Sequence, residues 1–280
     1  MNHKEQNFIG WSKNTNNQNI NMQESITTLD NRVWDKKELL DKMMDDEFYY
    51  HYLGRNALSS SAIKKLLDSP RAYEDSLLSG SKTNPAFEFG WLFHTAILEP
   101  HVYEKQVFVD VKSRNTNVFR EALSEHPRPF TWKEKHDVER LAESFYNNPK
   151  AVDMMQHTRK EVPAIGNLFG MPFRGKADIL GDGYIVDLKT TGNISKFEYS
   201  AREYLYRCQA FIYCKLFDID RDDFTFIAID KSTGTIGFYG VSERSFNAGR
   251  YDVEQAVDIY KEYFIEKNKE VYDYELEGDI

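Results

Sequence analysis

The chain has 280 residues, with 36 Lys and Arg against 45 Asp and Glu, a formal net charge of −9 and 41% hydrophobic residues. That supports one sizeable core, and no run approaches the ~18 consecutive apolar residues that a membrane span requires. No basic start followed by an apolar core marks a secretory signal, so a cytoplasmic location without membrane attachment is expected. The acidic balance does not exclude nucleic acid, because local basic patches govern phosphate contact. Cys208 and Cys214 are the only two cysteines. Both fall in one predicted helix, which excludes a normal disulfide between them and a four-thiolate iron–sulfur cluster.

In chain order, Met1 to about Arg32 is rich in Asn and Gln and poor in aliphatics, which predicts a flexible arm over 1–33. Trp34 to Met44 reads as a short helix. Leu58-Ser59-Ser60-Ser61 offers an N-cap for a helix through Leu67, and Pro70 restarts a second through Leu78. Pro85 to Leu98 is a mostly apolar helix that carries His94. Val107 to Pro129 is irregular, and Lys112, Arg114 and Arg120 make it a candidate DNA-contacting loop; a plain surface loop is the alternative. Trp132 to Tyr146 is helical.

Strands are expected near Arg159–Asn167, Pro172–Leu180 and Tyr184–Lys189, the last two joined by Gly181-Asp182-Gly183. A helix over Phe197–Phe217 follows, then strands over Asp223–Asp230 and Thr235–Val241 with Ser232-Thr233-Gly234 between them. An amphipathic helix over Glu243–Asn268 closes the chain, its aromatic stripe expected in the core. The whole reads as one domain over 34–280: a helical part at 34–157, a core at about 158–241 and the closing helix. No phosphate-binding glycine loop of the ATPase type occurs, so ATP-driven movement is not supported.

The chemistry concentrates in FRGKADILGDGYIVDLKTT, where Asp178 is followed nine residues later by Asp187 and then Lys189. Strict alternation puts Ile185, Asp187 and Lys189 on one face. On the preceding strand Arg174, Lys176 and Asp178 point one way, and Phe173, Gly175, Ala177 and Ile179 the other. A hairpin that buries the apolar faces brings Asp178, Asp187 and Lys189 together. Two carboxylates suit Mg²⁺, which prefers oxygen ligands, and a nearby amine can orient water and offset charge on a phosphate. Asp-x-Lys alone is weak, since a solvated strand face with a surface ion pair is common. Further residues fall in order around it: His94, Glu161 at the head of EVPAIGNLF, and Gln209 with Tyr213 one helical turn apart.

With these motifs the chain resembles the PD-(D/E)XK nuclease superfamily, and within it the RecE-type (exonuclease VIII-like) and lambda-exonuclease-like phage recombination nucleases. LSSSAIKKLLDSPRAYEDSLLSG followed by AFEFGWLFHTAILEP is similar to the start of the RecE-type domain, and the likeness spans about Asn56 to Phe217. It implies an α/β fold with a restriction-endonuclease-like core, a mixed central sheet flanked by helices, and an N-terminal helical portion supplying His94. It implies Asp178 and Asp187 as ligands of Mg²⁺, which Mn²⁺ can replace, with the Leu188 carbonyl as a third and Lys189 positioning the water. His94 and Glu161 would complete the metal and phosphate surroundings, and Gln209 and Tyr213 would support them. Ala177 stands where the motif has Pro, and the second acid is Asp187 rather than Glu.

The implied activity is a metal-dependent deoxyribonuclease, an exonuclease resecting double-stranded DNA ends 5′ to 3′ in recombination or repair. The implied partners are an annealing protein and further copies of the chain in a ring-shaped trimer or tetramer. A structure-specific or nicking endonuclease and a catalytically silent DNA-end-binding module remain open. Each residue also has a plainer reading: a hydrogen-bonded core histidine for His94, a helix polar spot for Gln209, core packing for Tyr213. Glu161 is not separable by sequence from Glu139 or Glu143.

Overall fold

Two-residue and glycine-bearing turns space the strands of the central sheet. Phe169 and Gly170 both have positive φ, 53° and 81°, the backbone of a tight turn that matches strand twist. They join the strands Arg159–Leu168 and Met171–Leu180. The computed structural model describes residues 25–78 and 84–275. Nine strands occur among the described residues. The hairpin β1 (Ser25–Thr27) and β2 (Val33–Asp35) and the short parallel pair β3 (Phe108–Val109) and β4 (Phe130–Thr131) lie outside the main sheet. The main sheet is β5 (Arg159–Leu168), β6 (Met171–Leu180), β7 (Ile185–Thr191), β8 (Phe224–Asp230) and β9 (Ile236–Gly240), in sequential order. All neighbours are antiparallel except β7 and β8, which run parallel. That crossover contains the helices Phe197–Glu203 and Tyr206–Phe217, as a parallel connection requires.

Helices cover both faces, so the central strands β6, β7 and β8 are largely buried on both sides, and the edge strands β5 and β9 less so. One face packs Phe173, Ala177, Ile185 and Phe226 against the helices Ser60–Asp68, Tyr206–Phe217 and Glu243–Tyr260. The other packs Ile179, Val186, Leu188, Ile227 and Ile229 against the His94 helix, Pro85–Leu98, and Trp132–Tyr146. This is the expected mixed sheet flanked by helices, with the helical portion ahead of it in sequence.

Four local expectations change. First, the chain joins the fold from Ser25, well before residue 33: Ile26 is fully buried and pairs with Trp34, because an apolar residue on a short hairpin can close the small cluster with Leu39, Met43 and Leu53. The rest of the expected arm, residues 1–24, lies outside the described residues. Second, the 107–129 stretch holds a helix, Asn117–Glu125, capped by Thr116. Arg114 within it is committed to Glu88 and Glu134, with Nε donating to Glu134 Oε1 at 2.8 Å. It ties two helices together rather than offering itself to phosphate. Third, the 197–217 helix is interrupted at Leu205, whose φ is 54°. Fourth, the closing helix is regular only over Glu243–Tyr260 and loosens into a π-turn over Lys261–Ile265. Its aromatics divide: Tyr263 is buried and Tyr260 packs on Tyr73, whereas Tyr251 is 65% exposed.

At the end of β8, Asp230 organises the loop after β7. Its Oδ1 accepts from the amides of Ser232 and Thr233 and from the Ser232 hydroxyl, and its Oδ2 accepts from Ile194 N at 2.9 Å. The Ser232 hydroxyl is the chief cause that holds this carboxyl well below its ordinary 3.8. A depressed carboxyl stabilises the fold above its unfolded value and ceases to as pH falls through the folded one. Asp230→Asn should therefore cost about 1–2 kcal/mol at neutral pH. In urea denaturation series the gap to the wild type should close as pH drops below 3.8. A gap that is constant with pH would show that the charge is not what matters.

Candidate active site

The β6–β7 ladder is short. Only Ile179↔Val186 and Leu180↔Ile185 are paired before the strands part. Continued, that register would set Asp178 opposite Asp187. Instead, Asp178 Oδ2 accepts from Leu188 N at 2.7 Å, supplying a partner to an amide that the parting strands leave without one. On the other side of β6, Lys160↔Ile179 and Val162↔Ala177 are paired, while Glu161, which faces Asp178 in that register, is not. Glu161 has φ of 50°, a left-handed conformation that non-glycine residues seldom adopt and that often marks functional positions.

This interruption overturns the strict alternation expected along β6. Phe173 and Ala177 lie in the cluster under the Tyr206–Phe217 helix, but Ile179 lies in the cluster under the His94 helix. The sheet changes facing at Glu161 and Asp178, and the two acids fall at the change. Arg174 and Lys176 do share a face of β6, and both turn to Tyr49: the buried Arg174 guanidinium lies 4.3 Å from its ring centre and the Lys176 amine 4.6 Å, with Lys176 also paired to Asp46 at 2.8 Å.

His94 approaches from above. Its Nδ1 is 3.4 Å from Asp178 Oδ2. One turn earlier the helix lies close to β7: a Cβ added at Gly90 would sit 3.6 Å from Thr190 Oγ1, an ordinary contact. Asp187 is only 1% exposed. Its Oδ1 accepts from Gln209 Nε2 at 2.5 Å and its Oδ2 forms an ion pair with Lys189. Lys189 Nζ also lies 4.9 Å from the Tyr206 ring centre. Tyr213 stands behind Gln209, its hydroxyl accepting from Lys176 N at 3.4 Å. Its ring fills the space that Gly175 leaves, where a Cβ would come within 2.8 Å of it.

The structure thus brings Asp178, Asp187, Lys189, His94 and Glu161 to the parting of β6 and β7, with Gln209 and Tyr213 bracing Asp187 from the helix side. Leu188 is fully buried as a side chain, so only its backbone can serve the site. Tyr49 and Tyr206 also border the cluster. Sequence spacing carried no signal for Tyr49, which sits in a π-helical turn over Phe48–Tyr52 far from the motif.

Burial sets the electrostatics. It pushes the Asp187 carboxyl upward, more than the neighbouring Lys189 lowers it. It pushes Glu161 upward as well, and the Asp178 charge adds to the shift. For Asp178 burial is outweighed by His94, Lys189 and the Leu188 amide, and the group stays below its ordinary value. Burial opposes the charged forms of His94 and Lys189, yet Asp178 and Asp187 respectively hold them above their ordinary values. Two of the three acids, Asp187 fully buried and Glu161 partly so, therefore lack enough positive charge to offset their desolvation.

That deficit, with the hard oxygen donors, fits a divalent cation of the Mg²⁺ kind. Buried Asp187 Oδ2 is moreover held by the amine of Lys189 as an ion pair. As the side chains stand, no three His, Cys, Asp or Glu among the described residues converge on one point. The oxygen donors nearest the parting are those of the two aspartates, and His94 Nδ1 faces Asp178 Oδ2.

Residues 59–274 match the model of a family described as a PDDEXK-like domain of unknown function (DUF3799). The chain belongs to that family, and so to the PD-(D/E)XK nuclease superfamily. A crystal structure of a Eubacterium rectale protein, provisionally described as an exonuclease, superposes with a TM-score of 0.60. The two share 15% identity over 84% of this chain and 95% of that one, a likeness of fold. A structure of SSO0001 aligns at a TM-score of 0.30 with 15% identity, over 61% of this chain and 86% of that one, too distant to bear on the site. No curated protein matches the sequence. No helix among the described residues is long and apolar enough to cross a membrane.

Proposed function

We propose that this nuclease-family chain is a metal-dependent deoxyribonuclease that resects the ends of double-stranded DNA. The observation that carries the reading is the buried cluster of Asp178, Asp187 and Lys189 where β6 and β7 part. Asp178, Asp187 and the Leu188 carbonyl would hold Mg²⁺ or Mn²⁺, with His94 and Glu161 completing the surroundings. The bound cation supplies a lowered pKa for water and relief of charge on the phosphate oxygens. Lys189, kept in place by Asp187, orients the attacking water and offsets charge on phosphorus-bound oxygen. Gln209 fixes the rotamer of Asp187, and Tyr213 backs Gln209. Attack in line with the scissile bond displaces the sugar oxygen.

The family likeness supports the finer parts of the proposal. These are 5′ to 3′ polarity, a place in phage-type recombination or repair, an annealing protein as partner, a ring-shaped trimer or tetramer, and work in the cytoplasm. Strand-specific end labels and light scattering check polarity and assembly. The defining experiment compares linear duplex with covalently closed circular DNA in Mg²⁺, in Mn²⁺ and in EDTA. Loss of the linear form alone, and only with metal, is the expected result. Cutting of the circle would replace the exonuclease with a nicking or structure-specific endonuclease. Binding without hydrolysis by folded protein would leave a silent DNA-end module.

A further inference from the structure

Tyr204 and Tyr206 are two residues apart, and in one continuous helix they would point about 200° apart around the axis. Here their rings stack, with centroids 5.8 Å apart and planes 23° from parallel. The left-handed backbone at Leu205 makes this geometry, dividing the helix Phe197–Glu203 from Tyr206–Phe217. Leucine pays a steric cost in that conformation, and glycine, asparagine or aspartate would be the ordinary choice.

The stack continues inward. Tyr206 lies 5.4 Å from Phe226 at 29°, and both rings flank the amine of Lys189, at 4.9 and 5.7 Å. It also continues outward. Tyr204 is 52% exposed, and Lys64 Nζ sits 4.8 Å from its ring centre, anchored on the carbonyl of Glu203 at 3.1 Å. Three nearly parallel rings thus run from the amine of the candidate active site to the surface and end beside a second cation.

Singly exposed aromatics are ordinary; a stack that begins at the amine of a candidate active site is not. Alternating π-faces and cations is how proteins hold unpaired nucleotides without reading sequence, by stacking on bases and pairing with their phosphates. We propose that Tyr204 and Lys64 form the first station of a single-strand track, on which an unpaired nucleotide stacks as its strand leads to Lys189. The ligand class is a single-stranded deoxyribonucleotide end. The inference rests on the nuclease reading but is tested by binding alone.

The probe is a duplex with a short single-stranded tail carrying 2-aminopurine, titrated with full-length protein in EDTA so that nothing is cut. Fluorescence quenching is expected with the wild type, Tyr204→Phe and Tyr204→Trp. Tyr204→Ala should lose the quenching and weaken affinity by about 5- to 150-fold, the range for one stacked base. Lys64→Ala should keep the quenching while the slope of log affinity against log salt falls by roughly one. Equal quenching and affinity in Tyr204→Ala, or none in the wild type, would overturn the track. Loss of binding in Tyr204→Phe, with an unchanged melting temperature, would do so too, because a stacking role survives removal of the hydroxyl. Hydrolysis by the wild type, measured separately with metal, decides the nuclease reading whichever way the track falls.

Discussion

Asp187→Asn should reduce metal-dependent DNA hydrolysis by roughly 10³-fold or more while leaving the protein folded. Asn keeps the shape of Asp187 and an oxygen for the 2.5 Å contact with Gln209. It removes the charge that holds Lys189 in place and that a divalent cation requires. The fold keeps its shape but loses stability. The carboxylate is buried and burial shifts its titration upward, so part of its charge costs the fold. Removing one partner of a buried ion pair nevertheless strands the other, and Lys189, 15% exposed as a side chain, would keep only the Tyr206 and Phe226 rings. The melting temperature of Asp187→Asn should therefore fall below the wild type while the circular dichroism spectrum stays native. Lys189→Ala should show a rate loss of similar size, and the double variant should be little worse than either, because residues acting as a unit do not add. Single-turnover rates on end-labelled duplex measure this. A variant within tenfold of wild type would remove Asp187 from the chemistry.

Gly249→Ala should destabilise the protein by about 3 kcal/mol or more, the upper range for overpacking. The direction is diagnostic, because alanine in a helix interior ordinarily gains about 1 kcal/mol over glycine. At Gly249 the closing helix crosses the Tyr206–Phe217 helix so closely that a Cβ would fall 2.3 Å from the carbonyl oxygen and 2.6 Å from the carbonyl carbon of Arg207. These are backbone atoms that cannot rotate away, so the helices must separate. The contact shift would run straight toward Gln209, two residues on, so activity should fall along with stability. Urea denaturation followed by circular dichroism measures it; a change within 0.5 kcal/mol of zero would mean that the crossing is looser than this.

The motif residues and the main helices and strands of the core were legible because their signals are local. Alternation marked Ile185, Asp187 and Lys189 as one face, the Gly181–Gly183 turn closed the hairpin, and Ser59, Pro70 and Pro85 marked helix starts. Strand bounds at β5 and β6 came within a residue or two for the same reason. The break at Leu205 was invisible, since leucine is a good helix former and nothing in EYLYRC stops a helix. Arg114 read as free for phosphate because the acids that claim it, Glu88 and Glu134, lie 26 and 20 residues away.

The sequence by itself determined which groups the site has to work with and that they share a hairpin: two carboxylates and an amine at fixed spacing, with alternation bringing them near one another. Only the tertiary structure decided how they stand. Two paired positions between β6 and β7 leave the Leu188 amide for Asp178, the left-handed Glu161 turns the facing of the sheet at that point, and helices from both sides bring His94 and Gln209 onto the two aspartates. Spacing along a strand specifies direction only while the ladder is regular. Where strands part, the distances are set by what packs around the gap.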